Sequence, residues 1–355
     1  MVGYIFALCM SITVMLPALN AEEPWPGEPE AGLLWVWGSA LAAEQIFDAD
    51  GEWLRDSEFR LRALARPDHH FAAIVTGGAL EAIDLAPVLS EQWSIQQRLA
   101  LELALHPLPA AGDGALWVVA GKAGPLFAMA LRDGRLVAEV VGVATELGPG
   151  QETDSHHLAI ELVGSELRWW RNGEAQETVS LSAVPDLAAA ERVSFGGHVD
   201  GSDSWSGTLE GLLVASAARS PAASTQYWRS QWAQREALPI SRVRARLVAH
   251  AREPAAADLL EYDECLLAMV WAIEEQISGP AIAAGEMLTW HWYQLDRRVL
   301  QRARPPALDS VWVLELSPIA DNPQTSGVQM VETDLEPDQV FALDAFLLHG
   351  EPEAP

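Results

Sequence analysis

The sequence predicts an all-β protein of two domains, a β-sandwich followed by a smaller β-barrel-like domain, with one helix linking them. Three observations lead to this prediction. The chain has 355 residues and a hydrophobic content of 50%, which is enough for a large core and is more typical of two domains than of one. From Gly32 onwards, short apolar runs alternate with turn signals, a pattern typical of strands. Two Asp-Gly or Asn-Gly pairs lie between such runs and predict tight hairpins.

The first segment predicts a secretory signal peptide over residues 1–21. It has no charged side chain, carries an apolar run from Tyr4 to Leu16, and ends in Ala-Leu-Asn-Ala before the expected cut. The alternative is an uncleaved membrane anchor formed by residues 2–19. We therefore expect an extracytoplasmic protein, periplasmic or secreted. Cleavage would leave Cys265 as the single cysteine, so the mature domains must be held together by core packing.

Charge excludes one class of partner. The chain has 50 acidic and 22 basic residues, a formal net charge of -28, so nucleic acid and anionic membrane surfaces are repelled on average. We expect contact with a membrane only through the N-terminal segment. A Pro- and Glu-rich linker over residues 22–30 then leads into the first domain.

The two hairpins lie within about fifty residues of each other, which favours a sandwich. In the first, Leu126–Leu131 and Leu136–Val141 flank a turn that contains Asp133-Gly134. In the second, Leu167–Arg171 leads through Asn172-Gly173 into the next strand. Both turns predict positive φ at the two central residues.

Four motifs in order resemble the laminin-G-like domains of the concanavalin A-like lectin and glucanase superfamily. Trp93 to Leu105 resembles the strand that opens such domains, and His156–Leu162 resembles a later strand, followed by the hairpin at Asn172-Gly173. Phe195-Gly196-Gly197 and the segment Trp205 to Gly211, which reads W-x-G-x-L-x-G, resemble the closing strands. The resemblance covers residues 31–220 and implies a jelly-roll β-sandwich.

A helix is expected next, within the linking residues 221–240. Ser220 is in position to cap it and Pro221 is at its first turn. Tyr227, Trp228 and Trp232 fall on one side at helical spacing, so we expect the helix to pack back on the sandwich.

The second domain is expected over residues 241–349, before a tail at 350–355. Its pattern favours strands, although helix is an alternative for Glu261 to Ser278. The runs V-W-x-I-E-E-x-I-S-G, T-W-H-W and V-W-x-L-x-L-x-P-x-x-D-N-P resemble an uncharacterised β-rich domain found behind such jelly rolls in bacterial secreted proteins. This resemblance favours strand.

Motifs that would identify an enzyme are missing from the sequence. There is no Gly-x-Ser-x-Gly elbow, no phosphate-binding loop and no His-Glu-x-x-His helix. The Glu-x-Asp-x-x-Glu strand of glucan-cleaving members of the superfamily is also missing, so we expect no enzymatic activity. The leading hypothesis is a non-catalytic protein that binds a polysaccharide or a cell-envelope partner. The alternatives are a structural or assembly subunit that binds only protein, and a glycoside hydrolase or lyase.

Two candidate sites follow from the first domain. Asp200 and Asp203 lie in an acidic loop beside the sandwich edge, where carboxylates and carbonyls suit Ca²⁺, although the same loop composition is common in ordinary turns. Trp169 and Trp170 are adjacent on a strand, so one ring must face the core and the other must face outward. We expect the outer ring, with Arg171 or Arg168, to contribute to a glycan or partner surface.

Overall fold

The structure is a computed structural model, and it describes residues 25, 33–39, 59–108, 112–150, 154–218, 220–235, 237–252, 264–282, 285–296, 299–300, 306–326, 328–331, 335 and 344–352. The predicted signal peptide lies outside the described residues, as does the predicted linker at 22–30 apart from Trp25. Within the described part of the chain, no helix is both long enough and apolar enough to cross a membrane.

The first part of the chain is built mainly of strands. In order, its elements are β1 (Leu33–Gly38), β2 (Phe59–Ala63), β3 (Arg66–Pro67), β4 (Ala73–Ile74), β5 (Gly78–Ala82), α1 (Leu85–Gln96), β6 (Arg98–Pro107), β7 (Gly114–Gly121), β8 (Gly124–Arg132), β9 (Arg135–Val140), β10 (Val143–Pro149), β11 (His156–Val163), β12 (Glu166–Arg171), β13 (Glu174–Ala175), β14 (Val179–Ser180), β15 (Arg192–Phe195) and β16 (Gly207–Ala215).

These strands form the two sheets of a sandwich. The first sheet has the order β13-β12-β11-β6-β16-β4-β3, with β1 added to β16 and β14 added to β12. The second sheet has the order β10-β9-β8-β7-β15-β5-β2. Alternate side chains of both sheets meet in one core, which contains Leu103 and Leu212 from the first sheet and Trp117, Phe127 and Phe195 from the second. The predicted jelly-roll sandwich is thus confirmed.

Both predicted hairpins are confirmed in detail. β8 and β9 are joined by Asp133 and Gly134, whose φ values are 49° and 70°. β12 and β13 are joined by Asn172 and Gly173, with φ values of 50° and 81°. Positive φ at both central residues is the conformation that matches the twist of the flanking strands.

One predicted strand begins later than expected. Trp93, Ser94 and Ile95 belong to α1, and the strand starts only at Arg98. Leu85, Leu89 and Trp93 are spaced four residues apart, and all three side chains are buried in the sandwich core. Packing against the core therefore stabilises a helix here. Gln97 ends the helix in the left-handed conformation.

The linking helix is confirmed as α2 (Pro221–Gln234). Pro221 occupies the first turn, but the Ser220 side chain makes no capping hydrogen bond, contrary to expectation. Trp228 is fully buried and packs against Trp25, with Tyr227 and Trp232 beside it. The aromatic side of α2 therefore lies on the first sheet.

The remaining strands form a closed barrel, which confirms the predicted second architecture. They are β17 (Ser241–His250), β18 (Glu264–Ser278), β19 (Glu286–Asp296), β20 (Val299–Leu300), β21 (Val311–Pro318), β22 (Gln329–Val331) and β23 (Asp344–Pro352). The pairings β19-β23-β21-β17-β18 return to β19 and close five strands into a ring. Strand, not helix, is therefore correct for β18. The last strand continues to Pro352, beyond the predicted domain end at 349, and the other domain boundaries stay predictions.

Candidate functional site

A groove with a volume of about 540 Å³ lies on the outward face of the second sheet. Three parts of the sandwich line it: β7 with the turn that follows it, the start of β15, and the loop between β15 and β16. Its lining residues are Val118, Ala120, Gly121, Lys122, Ala123, Gly124, Pro125, Glu191, Arg192, Ser194, His198, Val199 and Asp200.

The floor of the groove follows from strand alternation. On β7, Trp117 and Val119 point into the core, so Val118 and Ala120 point outward. On β15, Val193 and Phe195 belong to the core, so Ser194 points outward beside them. The result is a floor of small side chains, in which Ala120 is half-buried and Val118 and Ser194 are buried.

One wall is the tight turn between β7 and β8. Gly121 and Gly124 are registered opposite each other, and Gly124 has a φ of +131° that side chains rarely adopt. Lys122 projects from this turn and is exposed. It is the only lysine in the sequence.

The other wall is the loop after β15. Its direction is set at Gly196 and Gly197, with φ values of +77° and +154°, and the Ser194 hydroxyl donates to the carbonyl of Gly197 at 2.7 Å. Within the loop, the His198 N–H donates to the carbonyl of Ser202 at 3.1 Å. A polar floor residue is thus tied to the wall beside it.

Asp200 is the acidic group of this wall. Its Oδ1 accepts hydrogen bonds from the Ser202 hydroxyl at 2.6 Å and from the Ser202 backbone N–H at 2.9 Å. These bonds lower the pKa of the Asp200 carboxyl below its usual value. The carboxyl therefore stays ionised at neutral pH and can accept hydrogen bonds.

The basic groups of the groove are Lys122 and Arg192. Arg192 is exposed and is registered opposite Ala120, two residues from Lys122. Within the described part of the chain, neither side chain forms an ion pair. The groove therefore presents two cations and the carboxylates of Glu191 and Asp200 around one concave surface.

The structure places the two predicted calcium ligands in different surroundings. The Asp203 carboxylate is held by Arg132, with Nη1···Oδ1 at 2.9 Å and Nη2···Oδ2 at 2.6 Å, and Arg132 also contacts Glu139. Asp200 is engaged by Ser202, as described. In the ranges that the structure describes, no group of three or more His, Cys, Asp or Glu side chains lies together in a way that could hold a metal ion. Calcium at Asp200 and Asp203 stays a prediction.

The predicted tryptophan pair divides between the two faces, as alternation requires. Trp169 is 3% exposed and packs in the sandwich core, so it is not available to a ligand, which corrects its place among the candidate binding residues. Trp170 lies on the outward side of the first sheet and is half-buried. Arg171 stacks over the Trp169 ring, with Cζ 5.4 Å from its centroid, and donates to the carbonyl of Pro149. Neither Trp170 nor Arg171 lines the groove.

A second polar cluster lies beneath α2 and has a geometry that resembles a catalytic triad. Thr225 Oγ1 is 2.9 Å from His157 Nδ1, and His157 Nε2 is 3.4 Å from Glu102 Oε2. All three residues are at most 2% exposed. Because substrate cannot reach them in this conformation, the cluster acts as a polar contact between α2 and the first sheet.

Sequence reasoning predicted a site at Asp200 but missed the rest of the groove, because its residues come from distant segments. Lys122 and Arg192 belong to no motif, His198 directly follows the Phe195-Gly196-Gly197 motif, and only the fold brings the three together. One signal was visible in the sequence: a single lysine among 22 basic residues.

No protein-family model matches this sequence, and no curated protein matches it. Several solved structures are similar in architecture. The CBM40 domain of the Ruminococcus gnavus IT-sialidase, bound to α2,3-sialyllactose, has 13% identity and a TM-score of 0.35 over 46% of this chain and 98% of that domain. Domain 4 of AbnA, a GH43 extracellular arabinanase from Geobacillus stearothermophilus in complex with arabinotriose, has 14% identity and a TM-score of 0.38 over 56% of this chain and 98% of that domain.

A Trypanosoma rangeli sialidase in complex with sialic acid has 14% identity and a TM-score of 0.40 over 58% of this chain. The match spans 34% of the length of the sialidase. At these values, none of the similarities decides the function of this chain.

Proposed function

We propose that this protein binds glycans without cleaving them and that the groove on the second sheet is the binding site. The observation that carries this proposal is the convergence of hydrogen-bond donors and acceptors around one open groove. Its volume of about 540 Å³ lies within the range of small-ligand sites, which is roughly 300–1,000 Å³.

The groove suits the chemistry of a sugar ring. Lys122 and Arg192 only donate hydrogen bonds, ionised Asp200 only accepts them, and the His198 ring can do either. Sugar hydroxyls both donate and accept, so each of these side chains can be matched by a hydroxyl on one ring.

The pKa of Asp200 argues against this residue as the general acid of a hydrolase. A glycosidase needs one carboxyl group that holds its proton at working pH and delivers it to the leaving oxygen. The hydrogen bonds from Ser202 lower the pKa of Asp200, the opposite of what a general acid needs. We further propose that the protein works outside the cytoplasm, which rests on the apolar segment at residues 1–21.

The groove can be filled without removing any of its charges. We expect Ala120→Trp to place an indole above the floor and to abolish retention of the protein on a polysaccharide panel. Ala175→Trp adds the same group to an exposed position on β13, at the edge of the first sheet, and should leave retention unchanged.

Three results would contradict the proposal. Retention that survives Ala120→Trp would place the site elsewhere. Release of reducing sugar from the panel would show a hydrolase or lyase. Failure to bind any glycan, together with capture of one defined envelope protein, would favour the assembly subunit.

A further inference from the structure

We propose that the groove selects glycans that carry an isolated carboxylate, such as an oligosaccharide ending in a uronic acid. This inference rests on the proposed glycan-binding function and names the class of ligand. Three observations support it: two cations of the groove that pair with no described carboxylate, the lack of Trp, Tyr or Phe among the described lining residues, and the charge of the whole chain.

Six arginines of this sandwich are held in ion pairs with carboxylates. Acidic residues outnumber basic ones by 50 to 22, so a cation readily finds a carboxylate. The paired arginines include Arg62 with Glu81, Arg98 with Glu161, Arg132 with Asp203, Arg135 with Glu146, Arg168 with Glu166, and Arg235 with Glu210. Lys122 and Arg192 form no ion pair with any described residue, yet both line the same groove.

Aromatic stacking is not available to a sugar in this groove. None of the described residues that line it is Trp, Tyr or Phe. Hydrogen bonds are therefore expected to supply much of the affinity, and bonds between a cation and a carboxylate are roughly twice as strong as neutral ones. An arginine also matches both oxygens of a carboxylate with its planar guanidinium.

The charge of the chain limits how acidic the glycan can be. At a net charge of -28, the field around the protein repels a polyanion on average. A single carboxylate meets little of this repulsion and gains the local attraction of Lys122 and Arg192. Glu191 and Asp200 then accept hydrogen bonds from the hydroxyls of the same sugar. We therefore expect a sparsely charged glycan to bind better than a polyuronate.

The test compares two ligands that differ only in charge: an oligosaccharide ending in glucuronic acid, and the same oligosaccharide with that carboxyl reduced to give glucose. By isothermal titration of the full chain, we expect the acid to bind at least about tenfold more tightly. Arg192→Gln and Lys122→Gln should each reduce this preference several-fold. Arg229→Gln should leave it unchanged, because Arg229 is exposed on α2 and lies on the other side of the sandwich.

The single lysine allows a second readout. An amine-reactive reagent can modify the α-amine at the chain terminus and the amine of Lys122, which is the only lysine side chain in the sequence. We expect the glucuronic acid ligand to slow modification of Lys122 and the reduced ligand to slow it much less, as followed by mass spectrometry of the peptide. This measurement uses the protein with its natural sequence, so it does not depend on whether a substituted variant folds.

The outcomes separate the two proposals. Equal affinity for both ligands, or equal protection of Lys122, would overturn the choice of an acidic glycan and leave glycan binding in place. Tighter binding of a polyuronate than of the singly charged oligosaccharide would overturn the requirement for an isolated charge. Failure of both ligands and of every neutral polysaccharide to bind would overturn the proposed function together with this inference.

Discussion

The outward faces of the two sheets of the sandwich differ in what covers them. The outward face of the first sheet is covered by α2, and Trp228 and Trp25 pack between them. The outward face of the second sheet carries a buried patch of small side chains that includes Val118, Ala128 and Ala130, and it opens at the groove beside Ala120. The same architecture therefore has one outward face covered by a helix and one outward face that includes an open groove.

Charged groups follow this division. Under α2, Glu161 is bound by Arg98 at 2.6 Å and by the N–H of Ala218 at 3.2 Å. Glu210 is bound by Arg235 at 2.6 Å. A charge removed from water is costly unless it is paired, so these carboxylates need their partners.

At the groove, by contrast, Lys122 and Arg192 stay in contact with water and need no partner within the fold. This difference indicates which charged side chains are available to bind a ligand. The charged side chains of the covered face already form ion pairs within the fold, whereas the cations of the groove form none with any described residue.

The largest effect is expected on the covered face, from Trp228→Ala. Trp228 is fully buried, its ring lies 5.0 Å from that of Trp25, and it fills the space that Gly211 leaves on the sheet. The change should lower the free energy of unfolding by about 3–5 kcal/mol, because a large cavity replaces the ring. Urea denaturation of the full chain measures it. Trp170→Ala, at the half-buried position on β12, should cost clearly less, and equal losses would contradict the distinction between the faces.

A smaller effect is expected at the wall of the groove, from Gly196→Ala. A Cβ at Gly196 would lie 2.4 Å from Cγ2 of buried Val75, and its φ of +77° is unfavourable for alanine. Backbone strain of about 1–2 kcal/mol and overpacking of about 1–3 kcal/mol should together lower stability by about 2–5 kcal/mol.

Gly164→Ala is the matched control. Gly164 also has a positive φ, of +59°, but nothing lies within 4 Å of the added Cβ, so only the backbone strain should appear. Thermal unfolding of both variants separates the two contributions. If the two losses are the same, the contact with Val75 does not constrain the loop that forms the wall.

The local features of the fold were predictable because they depend on neighbours in sequence. Asp133-Gly134 and Asn172-Gly173 define their own turns, and the spacing of Tyr227, Trp228 and Trp232 defines one side of α2. The helix α1 was missed although Leu85, Leu89 and Trp93 carry a helical spacing. There, the resemblance of Trp93 onwards to a strand took precedence over the periodicity.

The groove could not be predicted in the same way. Lys122 and His198 are 76 positions apart in the sequence and meet only through the pairing of β7 with β15. The alternation of side chains along a strand correctly predicts that Trp169 and Trp170 face opposite sides of the sheet. It does not indicate which of the two rings faces the core. The pairing of Asp203 with Arg132 likewise depends on a contact 71 residues away.

His156 is buried beside Arg171 at the edge of the sandwich core, and its response to pH tests whether this position tolerates a second charge. Burial lowers the pKa of His156 from 6.5 to about 4, opposed by its contact with the carbonyl of Asp154. Between these two values the unfolded chain binds more protons at this position than the folded one, so stability falls as the pH falls. The loss from His156 should reach about 3 kcal/mol at pH 4, and above pH 6.5 the residue should contribute none. In His156→Leu this loss disappears, so the difference in unfolding free energy between the two proteins should change by that amount between pH 7 and pH 4. A constant difference across this range would show that His156 takes up its proton inside the folded sandwich, and that this position tolerates a second charge as the open groove does.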